Sequence, residues 1–332
     1  MINWGVLGAT ASIAGLVMPA IAGTAGCRLA AVGSRPRSAT RAAEIAARYG
    51  ARQHRDYQAL LDDPEIDAVY VALPNTEHLG WVLRALEQGK HVLVEKPVAM
   101  RTEDVHTIMG AAERAGRLVM EAFMYRFHPQ QHRAAELLGS GVIGDLRVVR
   151  ATFAFEIPSG SGNIRLDPIL GGGATWDMGC YALDVARLYF GQEPLSVRAQ
   201  FTARPGESVE TSAAGTADFG AGRRAIFDYS FDYGPRAGYE LQGRTGSITV
   251  HNAWAKAGEP GRITVRRGDE TAEETIPAAD HYACQVDAFS TAIRNGEPSP
   301  HPLSESLGTV RACAAVVSGA RDLAGADIPL AS

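Results

Sequence analysis

The sequence predicts an α/β protein with a doubly wound parallel sheet in its N-terminal part and an α+β domain with an open-faced, mostly antiparallel sheet in its C-terminal part. Short apolar segments alternate with helix-like segments over residues 1–125, which is typical of parallel strands joined by crossover helices. From about residue 141, longer strands of alternating polarity follow one another between turns rich in Gly, Pro and Asp. The length of 332 residues fits two domains, which we place at 1–125 and 126–332, with the last helices able to pack back on the first domain.

Composition excludes several classes of partner. The net charge of −5 and the pI near 6.0 provide no electrostatic attraction for nucleic acid or for an anionic membrane. The four cysteines form no C-x-x-C pair and no histidine cluster has metal-ligand spacing, so we predict no metal site and reduced thiols in a cytoplasmic protein. No apolar run reaches the ~18 residues of a membrane helix, and the N-terminus already has the pattern of a first strand rather than of a signal peptide.

The first strand, turn and helix indicate a cofactor site. Residues 2–7 form an apolar run that ends at Gly8, and an amphipathic stretch follows to Gly23. In this arrangement a Rossmann fold binds the pyrophosphate of a dinucleotide at a helix N-terminus. The glycine fingerprint is incomplete, because Gly8 is the only glycine of the turn and Thr10 stands near the second glycine position. An ordinary turn between a strand and a helix is the alternative. The candidate cofactor-binding residues here are Gly8, Thr10, Ala11, Ser12 and Ile13.

The second strand, residues 28–33, ends without the acidic residue that binds the ribose 2′-hydroxyl of NAD. Ser34, Arg35 and Arg37 follow it instead. A hydroxyl and guanidinium groups suit a 2′-phosphate, which Arg can bind with two hydrogen bonds. We therefore predict NADP (NADPH) as the preferred cofactor, with NAD possible. The alternative is that these residues are solvated charges before the next helix, residues 38–49.

A fully apolar strand is predicted at 67–73, after a short strand near 53–54 and a small helix at 57–61. Such a strand is typical of a parallel sheet that is covered on both faces. It runs into a turn and then into a helix at 77–88. The candidate cofactor contacts at this point are Leu73, Pro74, Asn75 and His78. For His78, a histidine on a helix face without a ligand is the alternative.

The most informative stretch is the strand at 91–94 with the residues Glu95-Lys96-Pro97 that follow it. A charged pair directly after a buried strand is unusual, because Glu and Lys are almost never buried unpaired. We predict that Lys96 lies at the carboxyl edge of the sheet, where open α/β sheets bind ligands, and that all three residues contact the cofactor. A helix at 102–115 and a strand at 117–121 complete this domain.

The C-terminal part is predicted as a sheet interrupted by one helix at 173–190 and closed by two more at 281–294 and 303–323. Its first strand, residues 147–156, is long and alternates in polarity. The further strands are predicted near 196–203, 212–219, 224–232, 239–242, 246–250, 262–267 and 272–276.

The helix at 173–190 follows a glycine-rich segment and carries Asp177 and Tyr181. These two residues are separated by four positions, so they lie on the same helix face. An acid and a phenol one turn apart form a plausible polar pair at a site. The alternative is that Asp177 is an acid favoured by the helix dipole and that Tyr181 belongs to the core.

These motifs together resemble the glucose–fructose oxidoreductase, inositol dehydrogenase and rhizopine catabolism family (Gfo/Idh/MocA) of NAD(P)-dependent oxidoreductases. The resemblance covers essentially the whole chain. Within the family, the sequence is most similar to the branch that contains sugar dehydrogenases, dihydrodiol dehydrogenases and deoxysugar ketoreductases. It depends on Pro74-Asn75-x-x-His78, on Glu95-Lys96-Pro97, on the segment from Glu121 to Pro129, and on the pattern from Gly171 to Tyr181.

The resemblance implies roles for individual residues. Lys96 would contact both the substrate and the nicotinamide ribose, Tyr181 would donate or accept the proton, and Asp177 would lie in the same site. A cis peptide bond is expected before Pro97. Since the outer face of the C-terminal sheet usually builds a dimer or tetramer in this family, we expect a homodimer or homotetramer. The substrate-binding candidates are Lys96, Tyr125, Arg126, His128, Arg165, Asp167, Trp176, Asp177 and Tyr181.

The predicted reaction is hydride transfer between the nicotinamide and a secondary alcohol, ketone or anomeric carbon of a sugar. A tyrosine has an ordinary pKa near ~10, and we expect the Lys96 ammonium to favour its ionised form. Two alternatives remain: a 3-ketoreductase of a nucleotide-linked keto-deoxysugar rather than a free-sugar dehydrogenase, and a non-catalytic protein of the same fold that senses NAD(P) or a sugar.

Overall fold

The computed structural model of this protein describes residues 1–254, 258–319 and 328–329. They divide into two compact units. The first unit contains residues 1–124 and 280–307, and the second contains residues 125–279 with the described part of 308–332. Residues 280–307 thus follow the second sheet in sequence but belong to the first unit.

The first unit is built on a six-stranded parallel sheet with the strand order β3-β2-β1-β4-β5-β6, which confirms the predicted doubly wound Rossmann sheet. The strands are β1 (Ile2–Leu7), β2 (Cys27–Gly33), β3 (Arg52–His54), β4 (Ala68–Val71), β5 (His91–Val94) and β6 (Val119–Glu121). All four residues of β4 are buried, as the continuous apolar pattern predicts for a strand covered on both faces.

Helices alternate with the strands of the first unit and also occur in the second. In chain order the α-helices are α1 (Ala14–Gly23), α2 (Ala39–Tyr49), α3 (Tyr57–Leu61), α4 (His78–Glu87), α5 (Thr102–Ala115), α6 (Pro129–Gly139), α7 (Cys180–Phe190), α8 (His281–Asn295) and α9 (Leu303–Gly319). Their ends follow local chemistry: the Asp280 carboxylate accepts hydrogen bonds from the first backbone N–H groups of α8, and Gly296 ends it in the left-handed conformation.

The second unit contains a nine-stranded sheet with the order β14-β13-β12-β11-β7-β10-β9-β8-β15. Its neighbouring strands are antiparallel except β7 and β10, which run parallel, so the predicted mostly antiparallel sheet is confirmed. The strands are β7 (Leu146–Ala154), β8 (Ser196–Thr202), β9 (Ser212–Asp218), β10 (Arg224–Ser230), β11 (Arg236–Gly243), β12 (Gly246–His251), β13 (Gly261–Arg267), β14 (Glu270–Ile276) and β15 (Ile328–Pro329).

Two helical features differ from the sequence expectations. The predicted helix at 173–190 begins with a π-helical segment, Thr175–Gly179, and becomes α-helical only in α7, which packs on β7 and β10. Helix α6 is absent from the predictions, although it has a clear start: Pro129 occupies its first turn, and the His128 ring accepts a hydrogen bond from Gln130 N.

A buried ionic cluster anchors α7 in the second unit. Asp184 is fully buried and accepts two hydrogen bonds from Arg126, with N–O distances of 2.8 and 2.7 Å. The hydroxyls of Tyr125 and Thr309 also donate to it, the latter at 3.0 Å. A buried carboxylate is stable only when its charge and lone pairs are satisfied, and here four donors do so. The helix is thereby tied to the start of the second unit.

We expect Asp184→Asn to lower the free energy of unfolding of the second unit by about 3 kcal/mol, because it leaves the Arg126 charge buried without its counter-charge. Urea unfolding followed by circular dichroism measures the change. Glu136→Gln is the matched control, since Glu136 forms an exposed pair with Arg133 whose loss should cost less than about 1 kcal/mol. Equal effects of the two substitutions would contradict the structural role of Asp184.

Candidate active site and cofactor site

The cofactor-binding candidates lie together at one edge of the parallel sheet. They occupy the turns that leave the carboxyl ends of β1, β2, β4 and β5, which are neighbours in the sheet. After β1 come Gly8, Thr10, Ala11, Ser12 and Ile13; after β2 come Ser34, Arg35 and Arg37; after β4 come Leu73, Pro74, Asn75 and His78; after β5 come Glu95, Lys96 and Pro97. Open α/β sheets bind their ligands at this edge.

The turn after β1 fits a dinucleotide pyrophosphate. Gly8 has φ +86, and a Cβ atom there would lie 2.3 Å from Ala72 O of the neighbouring strand end, so the position requires glycine. Helix α1 begins at Ala14 without a side-chain cap and without an acidic residue in its first turn. The backbone N–H groups of Gly15 and Leu16 donate to Ser12 O and Ile13 O, so an anion at this helix end would meet the turn that precedes Ala14. The single glycine in place of the full fingerprint still permits a tight turn.

The turn after β2 places a guanidinium beside an acid. Arg35 forms an ion pair with Glu77, and this hydrogen bond raises the pKa of Arg35. Ser34 is buried and its hydroxyl donates to Arg35 O at 3.3 Å, while Arg37 is exposed in a short 3₁₀ turn. A 2′-phosphate bound here would meet two cationic side chains, of which Arg35 is also paired with Glu77.

The turn after β5 contains the predicted cis peptide bond, between Lys96 and Pro97, and this prediction is confirmed. Glu95 is bound by the Tyr70 hydroxyl, which donates from the adjacent strand β4. Lys96 is half-buried, whereas Pro97 and Val98 are buried. The residues on both sides of Lys96 are thus fixed by contacts inside the first unit.

His78 connects two of these turns. Its ring is fully buried, with Nδ1 2.8 Å from Pro97 O and Nε2 2.8 Å from Leu73 O. Burial lowers the pKa of His78, although both carbonyl contacts and the charge of Glu121 act in the opposite direction. The side chain therefore contacts the backbone of the turns after β4 and β5, and a role in cofactor binding would act through those turns.

In the second unit, Asp177 and Arg165 form an ion pair. Arg165 Nε lies 2.8 Å from Asp177 Oδ2, and the two side chains are 35% and 12% exposed. The Arg165 guanidinium also lies over the Phe155 ring at 6.0 Å from its centre. Asp177 belongs to the π-helical segment, where extra backbone width before a helix is frequently associated with functional sites.

The glycines before this helix make room for a half-buried acid and a tyrosine. Gly173 has φ +118, and a Cβ atom there would lie 2.6 Å from the Glu210 carboxylate, which accepts a hydrogen bond from Thr175 N. Burial raises the pKa of Glu210. A Cβ atom at Gly179 would lie 2.7 Å from the Tyr229 ring. The glycine-rich pattern therefore allows close packing that shapes the π-helical segment.

Tyr181 lies in a cluster of aromatic rings. Its ring centre is 5.3 Å from that of Phe153, 5.6 Å from Trp254 and 5.8 Å from Tyr125, and the residue is 4% exposed. Aromatic contacts at these separations restrict ring orientation. The Tyr181 side chain is consequently held by packing on several sides within the second unit.

The other substrate-binding candidates of the second unit make internal contacts. Tyr125 and Arg126 bind Asp184, His128 accepts a hydrogen bond from Gln130 N at the start of α6, Asp167 accepts one from Ile169 N, and Trp176 is 4% exposed. Direct substrate contact by these residues stays a prediction. Among them, the Tyr125 ring contacts the Tyr181 ring, with 5.8 Å between the ring centres.

Sequence reasoning missed Asp184 and Glu210. A single acid in the apolar run of α7 was a usable signal for Asp184, because a buried carboxylate must have partners. Glu210 lies between two strands and carries no local pattern. Its role arises from contact with a segment 35 residues away in sequence.

Neither membrane nor metal features appear in the described residues. Within 1–254, 258–319 and 328–329, no helix is long and apolar enough to cross a bilayer. The same ranges contain no group of His, Cys, Asp and Glu side chains that could hold a metal ion. The four cysteines, all of them described, are free thiols.

Comparison with known proteins finds a family match within each of the two units. Residues 2–123 match the model of the oxidoreductase family with an NAD-binding Rossmann fold, and residues 132–249 match the model of the GFO/IDH/MocA C-terminal domain. The chain is 34% identical over 327 residues to a D-xylose 1-dehydrogenase (NADP(+)) of Haloferax volcanii, covering 98% of this chain and 99% of that protein.

Another relative acts on a nucleotide-linked sugar. The dTDP-3,4-didehydro-2,6-dideoxy-alpha-D-glucose 3-reductase of Actinomadura kijaniata is 32% identical, with 85% of each chain covered. The crystal structure of KijD10, a 3-ketoreductase from Actinomadura kijaniata in complex with NADP and TDP-benzene, matches with a TM-score of 0.89 and 31% identity, covering 96% of this chain and 97% of that one.

These matches extend over 85% to 98% of the chain. The chain belongs to the glucose–fructose oxidoreductase, inositol dehydrogenase and rhizopine catabolism family, and it is an NAD(P)-dependent oxidoreductase.

Proposed function

We propose that this protein transfers a hydride between NADP(H) and a secondary alcohol, ketone or anomeric carbon of a sugar or sugar derivative. The observation that carries the proposal is the position of Lys96, in the turn after β5 at the same sheet edge as the Gly8 turn. A cation at this edge can contact both a cofactor and the oxygen of a substrate. The names of the xylose dehydrogenase and keto-deoxysugar reductase relatives support a sugar as the substrate.

The first unit would hold the cofactor. The uncapped N-terminus of α1 and the Gly8 turn would bind the pyrophosphate, and Ser34, Arg35 and Arg37 would bind the 2′-phosphate of NADP. The dehydrogenase relative named for NADP and the KijD10 structure with NADP support this preference. The bound cofactor supplies or receives the hydride, whereas the protein orients the substrate and handles a proton.

In this mechanism Lys96 binds the reacting substrate oxygen and the nicotinamide ribose, and Tyr181 donates a proton to the developing alkoxide or removes one in the opposite direction. Asp177 and Arg165 form a carboxylate and guanidinium pair that can accept and donate hydrogen bonds to sugar hydroxyls. A site built in this way rejects analogues that lack those hydroxyls, because its own polar groups would remain unpaired.

Two substrate classes fit the proposal. The xylose dehydrogenase relative favours a free aldose, and the 3-reductase relative favours a nucleotide-linked keto-deoxysugar. Turnover of NADPH or NADP⁺ over a panel containing both classes distinguishes them. The preferred class is the one with the higher kcat/KM, since this ratio measures discrimination between substrates.

We also propose a homodimer or homotetramer that forms through the outer face of the second-unit sheet, and a cytoplasmic location. Arg150 on β7 pairs with Glu240 on β11 at 2.7 Å, and Thr152 donates to Asp228 at 3.0 Å on the same face. Ile226 is 38% exposed among these polar residues, beside a cavity of about 450 Å³. The free thiols support a reducing compartment.

Lys96→Ala and Tyr181→Phe should each lower kcat by at least ~10²-fold, because each removes a group that acts on the reacting oxygen. Steady-state kinetics with the preferred substrate of the panel measures this effect. Tyr233→Phe is the matched control, since it removes a hydroxyl that donates to Asp228 on an exposed part of the sheet. Near-normal kcat in both Lys96→Ala and Tyr181→Phe would refute the assignment.

The double substitution of Arg35 and Arg37 by Ala should raise the KM for NADPH by about 10-fold or more, since it removes hydrogen bonds from charged groups to the 2′-phosphate. The KM for NADH should change little because NADH lacks that phosphate. Arg48→Ala, at an exposed position in the last turn of α2, is the control. Equal increases for both cofactors would argue against the proposed 2′-phosphate site.

Ile226→Glu should shift the protein to monomers, because it places an unpaired charge in the proposed interface. Size-exclusion chromatography with light scattering reports whether the mass is a multiple of 35.3 kDa. Leu188→Glu is a matched control, since Leu188 is also 38% exposed but lies on α7. A wild-type protein of monomer mass would contradict the proposed assembly.

A further inference from the structure

A buried carboxylate lies behind the Lys96 turn. Glu121, at the end of β6, is fully buried, and its Oε1 accepts a hydrogen bond of 2.8 Å from Val98 N. Val98 is separated from Lys96 only by Pro97, which has no N–H of its own. The Val98 N–H is therefore the first backbone donor after Lys96, and it is bound by a side chain rather than by a neighbouring strand.

The second oxygen of Glu121 faces a buried histidine. His301 Nε2 lies 3.7 Å from Glu121 Oε2, and His301 is 1% exposed. The other ring nitrogen, Nδ1, lies 3.4 Å from Glu305, and the ring packs edge-on against Phe123 at 5.9 Å. The 3.7 Å contact is longer than a hydrogen bond, and Glu121 Oε2 has no hydrogen-bond partner among the described residues, while His301 Nε2 also lies 3.4 Å from Ser306 Oγ.

The opposite side of the turn is held by His78, whose Nδ1 lies 2.8 Å from Pro97 O. The two backbone groups that follow Lys96, Pro97 O and Val98 N, thus each contact a fully buried polar side chain. This leaves the backbone at this point little freedom to rotate. Because Glu121 makes its contact from β6 and His78 makes its contact from α4, the turn is fixed by two different elements.

We propose that Glu121 is a positioning residue for Lys96: its buried carboxylate accepts the Val98 N–H and thereby fixes the backbone from which the Lys96 side chain extends. The proposal depends on the role of Lys96 given above. The essential feature is a hydrogen-bond acceptor at the position of Glu121 Oε1. An apolar residue at this position would be easier to bury than a carboxylate but would leave Val98 N unpaired.

The test compares Glu121→Gln with Glu121→Leu. Gln keeps the size and a carbonyl acceptor for Val98 N, so kcat should stay within about 3-fold of wild type, whereas Leu removes the acceptor and should lower kcat by about 10- to 100-fold, the scale of a small misplacement of a reacting group. The KM for NADPH should change much less than kcat in both variants. This difference between kcat and KM, together with rescue by Gln, would not arise from a general loss of stability.

Ser290→Ala is the matched control. Ser290 is fully buried in the same unit, and its hydroxyl contacts Trp4 Nε1 at 3.3 Å and Cys27 Sγ at 3.1 Å. Its removal also deletes buried hydrogen bonds but does not touch the Lys96 turn. We expect Ser290→Ala to have the kcat of wild type even where thermal unfolding shows that it is less stable.

A second measurement reports on the environment of the Lys96 side chain itself. The sequence contains three lysines, Lys90, Lys96 and Lys256, so reductive ¹³C-methylation gives a simple NMR spectrum in which Lys96→Arg identifies the Lys96 signal. This signal should match wild type in Glu121→Gln and should shift or broaden in Glu121→Leu. If Lys96→Ala retains activity, the proposed role of Lys96 fails, yet the spectrum still reports whether Glu121 sets the environment of Lys96.

Three results would overturn the inference: wild-type kcat in Glu121→Leu, an unchanged Lys96 signal in that variant, or a loss of kcat in Glu121→Gln as large as in Glu121→Leu. Should the Leu variant not fold, Glu121→Asp replaces it. Asp keeps the charge but withdraws the carboxylate from Val98 N by one methylene group. We then expect a lower kcat and a displaced Lys96 signal, and the absence of both changes would overturn the proposal.

Discussion

The need to pair buried polar groups around the turn after β5 organises the first unit. Proline interrupts the backbone donors after Lys96, so the neighbouring carbonyl and N–H groups must find partners among side chains. His78 supplies one partner from α4 and Glu121 the other from β6, while Tyr70 binds Glu95 just before Lys96. The proposed catalytic cation therefore extends from a backbone that three separate elements hold in place.

In the second unit, buried polar groups also need partners around helix α7. Asp184 accepts hydrogen bonds from Tyr125, Arg126 and Thr309 and so anchors α7. Aromatic rings pack around Tyr181 one turn earlier in this helix. The glycines before α7 let Glu210 bind Thr175 N at the start of the π-helical segment that carries Asp177. Lys96 and Asp177 are half-buried and Tyr181 is buried, and the contacts of the surrounding residues restrict their orientation.

Much of this arrangement could be predicted from local pattern. Apolar runs of four to seven residues followed by polar turns marked the parallel strands other than the short polar β3, and helices such as α3 and α5 were predicted at the residues where they occur. The turns that contain Gly8 and Lys96 lie at the expected sheet edge because parallel strands bring their carboxyl ends together. The π-helical segment was not predicted, because it depends on a partner that is distant in sequence, Glu210 for Thr175. Helix α6 was not predicted although its start at His128 and Pro129 is a local signal.

The sequence by itself determined the two kinds of sheet, the order of the motifs and the presence of an unusual charged pair after a buried strand. Hydrophobic periodicity and turn chemistry are local properties, so they can be read without knowing the fold. Only the tertiary structure decided which side chain satisfies which buried group: Arg126 binds Asp184, His78 contacts the Pro97 carbonyl, and Glu121 accepts the Val98 N–H. Those pairings follow from burial, since a polar group removed from water takes the partner that folding brings within reach.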